Sequence, residues 1–437
     1  MKEDGKRFLY DLDERPPLWR NLFYGVQCTV LMLSSLTILS ALAGAALQLP
    51  MLDRAALVQR VLLISGLSMI FQFFLGHRYP MQEGPSTAVT LTFIALAPYG
   101  GSVLEGGMIA GGACLLVIGL TNLLRYMERL FTQNVTGVVI MLIAFSLLGT
   151  ILPKLAGITQ GRPDGQPIAL LLAFAVISMI CLFTMTLGGI WRSLAILLGM
   201  AAGYVICAFL DMVNFTPVRQ ASWHALPALL PFGTPRFFLP AVLSFVFAYL
   251  VLLTNFMGSI YGTAQVFRHK DIGKRLRYGV GLTGTMGIAA GMWGALGTVP
   301  YATSAGVVLI TRVASHYAQL AAGFIITASA FIPKLGAVLA SVPDPVIGGG
   351  VIVILSSQLG LGIHTVMRGR GMTDFSTRDG FVVGLPVLLG TALPLLPPGF
   401  FENLPILLAA FLRNGLSVGM LAVFLMEHLI MKRDKKS

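Results

Sequence analysis

Gly297–Arg312 reads GTVPYATSAGVVLITR and lies between two long apolar runs. It is too short and too interrupted to be a full membrane span. Pro300 removes a backbone donor, and Gly297 and Gly306 loosen the backbone. Tyr301, Thr303, Ser304 and Thr311 bring hydroxyls into this apolar setting. Irregular backbone at membrane depth is tolerated only where it is buried in protein or lines a wet cavity. The first half of the chain holds a comparable piece, Arg78–Ala88, RYPMQEGPSTA, with Pro and Gly again followed by Ser and Thr. Two Gly/Pro-interrupted segments at corresponding places in two halves point to the binding site of a secondary transporter.

The rest of the 437 residues supports that reading. Hydrophobic residues make up 56% and charged residues only 11%, and mean hydropathy is +0.82. Soluble domains carry roughly 25% charged residues, so this composition excludes an ordinary soluble protein. Apolar runs of about 20 residues recur from end to end, which reads as an all-α polytopic membrane protein. The net charge of +12 is carried by short loops and tails, as membrane topology requires, and does not imply a nucleic-acid partner. The charged first 20 residues contain no short apolar core with a cleavage site, so no cleavable signal peptide is expected. Cys28, Cys114, Cys181 and Cys207 all fall inside apolar runs and read as small core residues rather than a disulfide or metal framework.

The hydropathy pattern divides into about 14 segments. Spans 1 to 7 are expected near 22–43, 56–76, 84–98, 103–124, 130–152, 167–187 and 191–212. A polar, Pro-rich connector, Asn214–Arg236, leads to spans 8 to 14 near 238–262, 277–296, 301–313, 316–338, 346–364, 378–396 and 404–431. Basic residues favour one set of loops: Lys2, Lys6, Arg7, Arg15 and Arg20 before span 1, and Arg268, Lys270, Lys274, Arg275 and Arg277 after span 8. The positive-inside bias therefore places both termini in the cytoplasm of a multi-pass protein of the cell membrane. Seven spans per half invert the second half relative to the first, so short span 3 corresponds to short span 10.

These residues resemble the nucleobase–ascorbate (nucleobase:cation symporter) family of xanthine and uracil permeases, over most of the chain in span order. The most specific piece is Thr303-Ser304-Ala305-Gly306, four residues, then Thr311-Arg312. The family signature there is Gln, Glu or Pro, then Asn, any residue, Gly, four residues, Thr and a basic residue. Gly306, Thr311 and Arg312 match; the first two positions differ. A second piece is Ser65-Gly66-Leu67, Gln72, Gly76, Arg78, Pro80, Gly84, Ser86 and Ala88. Gln27 matches the Gln of a Gln-His pair, with Cys28 in place of His, and Pro231–Pro235 is similar to the mid-chain loop. The Glu-Gly-Pro before span 3 is closest to divergent purine-permease-like members.

The resemblance implies two inverted repeats of seven spans. Residues 22–124 and 238–338 would form a substrate-carrying core, and 125–213 and 339–431 a gate that often makes a homodimer contact. Residues 1–21 and 432–437 would be cytoplasmic tails, and 214–237 a connector. Spans 3 and 10 would begin as short extended strands with the ligand between them, and the core would move against the gate. No cofactor is implied.

Departures concentrate at the site. Family members carry a carboxylate in span 8 where this chain has Asn255, often a second at the start of span 10 where it has Thr303, and a polar group at Ser259. Asn255, Thr303 and Ser304 still donate and accept hydrogen bonds but cannot change charge at physiological pH. The expected substrate-binding set is Asn255, Ser259, Ala302, Thr303, Ser304, Ser86, Thr87, Tyr301 and Cys28. Asn255 has an alternative role as helix–helix glue. Thr303 and Ser304 also suit helix capping, and Tyr301 ring stacking or packing. Phe256 reads as packing, and the glycines of spans 4 and 9 as close helix contact. Glu83 is the candidate to replace the missing carboxylates in coupling to a proton or Na⁺, since an intramembrane acid is functional by default. The competing role for Glu83 is a pair with Arg78 at the cytoplasmic mouth. The six histidines have no metal-ligand spacing and read as interface or loop residues.

The leading expectation is thus a secondary transporter for a nucleobase or similar planar heterocycle. The alternatives are an anion or other solute carrier on the same scaffold, or an uncoupled facilitator. HExxH, GxSxG, paired intramembrane Asp and phosphate-loop motifs are missing from the sequence, which argues against an enzyme or an ATP-driven pump.

Overall fold

A computed structural model describes residues 8–121, 123–158, 164–269, 272–367 and 375–431. The C-terminal tail 432–437 and the charge positions Lys2, Lys6, Arg7 and Lys270 lie outside these residues.

Proline starts several of the helices, because its fixed φ suits the first turn and its missing N–H is not needed there. Span 1, Leu18–Ala46, follows Pro17, and span 2, Met51–Phe74, follows Pro50. Span 3 is a three-residue strand, β1 (Glu83–Pro85), followed by the short apolar helix Thr87–Tyr99. Spans 4 to 7 are Gly101–Leu120, Gln133–Leu155, Pro167–Thr186 and Ala195–Phe209. The second half repeats the order. Span 8 is Leu239–Phe267 and span 9 Gly273–Met292; span 10 is strand β2 (Thr298–Pro300) followed by helix Thr303–Thr311. Span 11 is His316–Ser329, span 12 Asp344–Met367, span 13 Thr377–Leu395, and span 14 is built from Ile406–Arg413 and Gly415–Ile430. Spans 1 and 8 are both 29 residues long. The chain is an all-α membrane protein of seven-plus-seven inverted repeats, with short broken spans 3 and 10.

Three details differ from the hydropathy reading. Span 11 does not run through to 338: the chain breaks by 91° and continues as Pro333–Ala340. Pro333 cannot extend the preceding helix, so the chain turns there. A matching amphipathic helix, Leu123–Leu130, follows span 4. Span 14 is cut between Arg413 and Gly415, where Asn414 has left the helical conformation and caps the next segment.

The helices pack in two groups. Spans 4 and 9, 2 and 11, 4 and 8, and 1 and 11 are the main pairs of the first; spans 5 and 12, 13 and 14, 7 and 6, and 6 and 12 are those of the second. Small residues let spans 4 and 9 meet backbone to backbone: a Cβ on Gly112 would lie 2.5 Å from Ile288 N, and one on Gly284 2.3 Å from Leu116 N. The second group is tied at one end by a partly buried polar cluster. Asn134 Nδ2 donates to Asp379 Oδ1 (3.1 Å) and Glu427 Oε2 (3.2 Å), and Arg378 Nη2 donates to Glu427 Oε2 (3.1 Å).

Two faces of the molecule are distinguishable. On the terminal face, residues 8–16 form an ordered strap rather than a loose tail. Leu9 N donates to Arg312 O, Ala314 N to Tyr10 O and His316 N to Leu12 O, while Phe8 packs against Phe267. On the opposite, connector face, Leu230 N donates to Met292 O and Arg236 N to Ser102 O. Toward the connector face the two groups touch: Asn414 Nδ2 donates to Thr92 Oγ1, and the Phe247 and Phe411 rings lie 6.3 Å apart. Toward the terminal face they part. Asn255, Gly258, Tyr261, Gly262 and Gln265 are exposed along span 8, whereas residues 36–44 of span 1 are buried. There the second group meets span 10 through the short helix Gly189–Ser193. The crevice between the groups is closed at the connector face; on its terminal side the strip of span 8 is bare and the groups meet again only at the edge, through Gly189–Ser193.

Candidate functional site

Both chain breaks meet at the same point. β1 and β2 pair antiparallel, with Glu83 opposite Pro300, Gly84 opposite Val299 and Pro85 opposite Thr298. Prolines at the strand ends prevent the pairing from extending, because each lacks the N–H a ladder needs. The crossing is knitted further by Tyr301 N to Gln82 O (2.8 Å) and Ser86 N to Gly297 O (2.8 Å). Each strand hands over to a helix whose N-terminus starts inside the protein. Neither N-cap, Ser86 nor Ala302, spends its side chain on capping; Ser304 N turns back to Tyr301 O (3.0 Å), which leaves the leading amides, at Thr87 and Thr303, as donors for something else. A helix N-terminus also carries a partial positive charge.

The sequence-predicted residues separate into three sets. Ala302 and Thr303 are exposed at the start of the span 10 helix, Gly306 is exposed one turn on, and Thr87 is half-buried at the start of the span 3 helix. Span 8 packs against the span 10 helix and β2 and presents Asn255, with Gly258 and Gly262 in line below it. A Cβ on Gly258, Gly262 or Gly306 would meet nothing within 4 Å, so all three border open space. Ser259 is buried and donates its hydroxyl to Asn255 Oδ1 (3.3 Å), which leaves the amide Nδ2 as a directed donor. Phe256 faces the other way and is fully buried near His77, as packing requires.

A second set is buried in the strand crossing and bonds within it. Ser304 is 1% exposed, and its Oγ accepts from Gln82 N (2.9 Å). Ser86 is buried in the crossing, and its carbonyl accepts from Thr90 Oγ1. The Tyr301 hydroxyl donates to Pro85 O (3.2 Å) and closes over Gly84.

The third set lies behind the strands. Cys28 is buried; its carbonyl accepts from Gln82 Nε2, and its Sγ is 3.6 Å from Gln319 Nε2. It borders a small cavity of about 20 Å³ between spans 1, 10 and 11, together with Gln27, Thr311 and Gln319. Glu83 is fully buried and does not pair with Arg78. Arg78 donates to Phe74 O instead, and the partner of Glu83 is His77, whose Nε2 lies 3.0 Å from Glu83 Oε1. His77 sits in the loop after span 2, but its side chain is buried. Ser68 and Thr298 complete the surroundings, with Ser68 Oγ 3.4 Å from Glu83 Oε2 and Thr298 Oγ1 donating to Ser68 Oγ (3.1 Å). Gln72 holds the assembly by donating to Gly279 O and Thr283 Oγ1 and accepting from His77 N. The sequence signal for this set was the spacing of Ser65, Ser68 and Gln72, which puts three polar groups on one buried face of span 2.

The loop beside it is anchored at the terminal face. Arg275 donates to the carbonyls of His77 and Arg78, and the Tyr79 hydroxyl meets His269 Nδ1 (3.1 Å). Partial burial, with the Arg275 guanidinium nearby, holds the His269 imidazole below its ordinary value. Among the described residues no group of His, Cys, Asp or Glu has the geometry to hold a metal ion.

Comparison with known proteins agrees with this architecture. A family model described as "Permease family", labelled for xanthine and uracil permeases, matches residues 20–399. The uric acid permease PucK of Bacillus subtilis is 26% identical over 424 residues, covering 95% of this chain and 96% of its own length. The nucleobase transporter PlUacP of Paenibacillus larvae is 26% identical over 423 residues, with 95% of each chain covered. Among solved structures, the transmembrane domain of the cyanobacterial bicarbonate transporter BicA superposes with a TM-score of 0.65 at 17% identity, over 89% of this chain and 96% of that one.

Proposed function

The chain belongs to the xanthine/uracil permease family, and we propose that it carries an acidic purine such as urate or xanthine across the membrane, bound in the crevice where β1 and β2 cross. As a member of that family it is a secondary transporter, not an enzyme. The observation that carries the substrate reading is the pair of side-chain-uncapped helix N-termini at the crossing, with the exposed face of span 8 packed beside the span 10 helix. Main-chain amides at Thr87 and Thr303 would donate to ring carbonyls, and Asn255 Nδ2 would donate to a ring nitrogen or oxygen. None of the substrate-binding residues proposed here is a carboxylate. Family members with acids in these places meet base N–H groups; this site meets electron-rich edges. A partly anionic oxopurine fits it better than a neutral base.

The first helix group, spans 1–4 and 8–11, acts in this reading as the moving core, and the second, spans 5–7 and 12–14, as the gate. The excess of basic residues in the loops of the terminal face supports a cytoplasmic position for that face and both termini. The crevice then opens inward. Of the long apolar helices, spans 6 and 13 are the least buried, and we assign that surface of the gate to lipid and to a second copy in a homodimer. Uptake is ion-coupled, with a proton as the driving ion in preference to Na⁺.

The test is uptake by proteoliposomes of radiolabelled uric acid, xanthine, uracil and adenine, with bicarbonate and sulfate as anion controls, under imposed pH and Na⁺ gradients. Accumulation of uric acid or xanthine under a pH gradient supports the reading. Transport of the inorganic anions alone, or of neutral bases in preference to oxopurines, refutes it.

A further inference from the structure

His77 and Glu83 are buried together behind the strand crossing, each with a side chain no more than 1% exposed. Their surroundings are mostly neutral. Span 2 supplies Ser68 and Gln72, and β2 supplies Thr298. Span 8 lays Phe256 near the imidazole, and span 9 contributes Gly279 and, at its first turn, Arg275, which is held by main-chain carbonyls. Tyr301 follows β2, Tyr79 and His269 lie on the terminal-face side, and His316 of span 11 reaches Arg78 O. Among the described residues no lysine or arginine forms an ion pair with Glu83.

We propose that this pair is the proton-binding site of the carrier, with Glu83 Oε2 as the atom that takes the proton. Tyr79 N donates to His77 Nδ1 (2.9 Å), so that nitrogen is an acceptor and the ring hydrogen sits on Nε2, aimed at Glu83 Oε1. A second ring proton would set N–H against N–H at Tyr79. The arriving proton therefore goes to the carboxylate, on the oxygen that does not already accept from His77. Thr298 donates to Ser68 and Ser68 to Glu83 Oε2, a row of donors all directed at an ionised acid. Protonation changes the carboxylate charge from −1 to 0 and reverses the row: the acid donates to Ser68, Ser68 donates to Thr298, and the Thr298 hydroxyl must turn to a new acceptor. No other proton is gained or lost. Thr298 stands opposite Pro85 in the strand register and next to Gly297, whose carbonyl accepts from Ser86 N. Proton occupancy is thereby passed to the two strands that position the substrate-binding helices. A buried unneutralised acid is expensive to carry through a bilayer, so the neutral form is the one that moves.

This inference rests on the transporter reading, and its test separates the two. Infrared difference spectra between acid and alkaline pH, taken on full-length protein in lipid without substrate, should show a protonated-carboxyl C=O band. That band should be lost in Glu83→Gln and kept at a shifted position in Glu83→Asp. In proteoliposomes, Glu83→Gln should lower pH-driven accumulation of radiolabelled uric acid or xanthine to its level without a gradient, while counterflow stays at the wild-type rate. Ser68→Ala keeps the acid but removes the relay, and should move the pH midpoint of the band. A band unaltered in Glu83→Gln, retained pH-driven accumulation, or loss of counterflow along with accumulation would each overturn the proposal. If Glu83→Gln does not fold, an unmoved midpoint in Ser68→Ala overturns it instead. Wild-type protein that transports neither purine yet shows the Glu83-dependent band would sink the substrate reading and leave the proton site standing.

Discussion

Asn414 Nδ2 donates to Thr92 Oγ1 across 3.2 Å, a buried polar bond that joins the two helix groups at the closed end of the crevice. The same Asn414 accepts from Ser417 N through its Oδ1 (3.3 Å), so its amide is fixed in orientation by the helix it caps. Thr92→Val removes the acceptor and leaves that donor buried and unsatisfied, at a cost of about 1–3 kcal/mol. The cost falls only on the form closed at the connector face. The equilibrium should shift about tenfold or more toward the other form. The check is the labelling rate of a single cysteine at Ala41, with native cysteines replaced, by an impermeant maleimide. An unchanged rate would mean that the bond does not hold the closure.

Asn255→Ala deletes the side-chain amide that Ser259 orients on the exposed face of span 8. The expected loss is about 1–3 kcal/mol of binding, or roughly tenfold to a hundredfold in KM, with kcat less affected. Ser259→Ala should cost less, because Ser259 only orients the amide. Equal effects from the two variants would remove Asn255 from the site.

Glycine substitutions should divide by location. Gly258→Leu and Gly306→Leu fill open space and should block transport while leaving thermal stability unchanged. Gly84→Ala behaves differently, because its Cβ would lie 2.2 Å from the Tyr301 hydroxyl, with the ring carbon Cζ at 2.6 Å. It should lower the melting temperature, with partial recovery when Tyr301→Phe removes the oxygen. A stable, active Gly84→Ala protein would mean that the crossing is looser than the structure shows.

Arg378→Leu should be among the most destabilising single changes in the second helix group. It removes the guanidinium that lies 3.6 Å from Asp379 and 3.1 Å from Glu427, and loss of these charged hydrogen bonds at a partly buried site costs about 1–3 kcal/mol. Thermal unfolding in detergent should show it. The double change Arg378→Leu with Glu427→Gln should recover part of the loss; no recovery would mean that the charge pairing is not what matters.

The sequence carried the architecture because the decisive signals are local. Pro and Gly at 80, 84, 85, 297 and 300 mark the breaks with no help from tertiary structure, and the hydropathy of spans 1 and 8 is unambiguous. The arrangement of the site was less legible. Ser304 looks like a ligand residue in the sequence, and its hydroxyl accepts from Gln82 N just before β1, a partner 222 positions away. His77 and Glu83 are six positions apart, a spacing with no helical or strand meaning, and only the turn at Tyr79 brings them together. Residues 8–16 read as a charged tail because the chain that pairs with them, 312–316, is remote in sequence. Long-range pairing of polar groups leaves no periodic trace.

The equal length of spans 1 and 8 has a consequence for the form not seen here. Aligned end to end, Ser34, Thr37 and Ala41 are the counterparts of Asn255, Gly258 and Gly262. One strip is covered and the other bare, so the halves of a doubled chain have taken unlike poses. Interchanging those poses would give a complementary conformer, with the span 8 strip shielded and the span 1 strip bare on the opposite side. A duplication that turned one copy upside down thus supplies both ends of the working cycle from a single set of helix contacts.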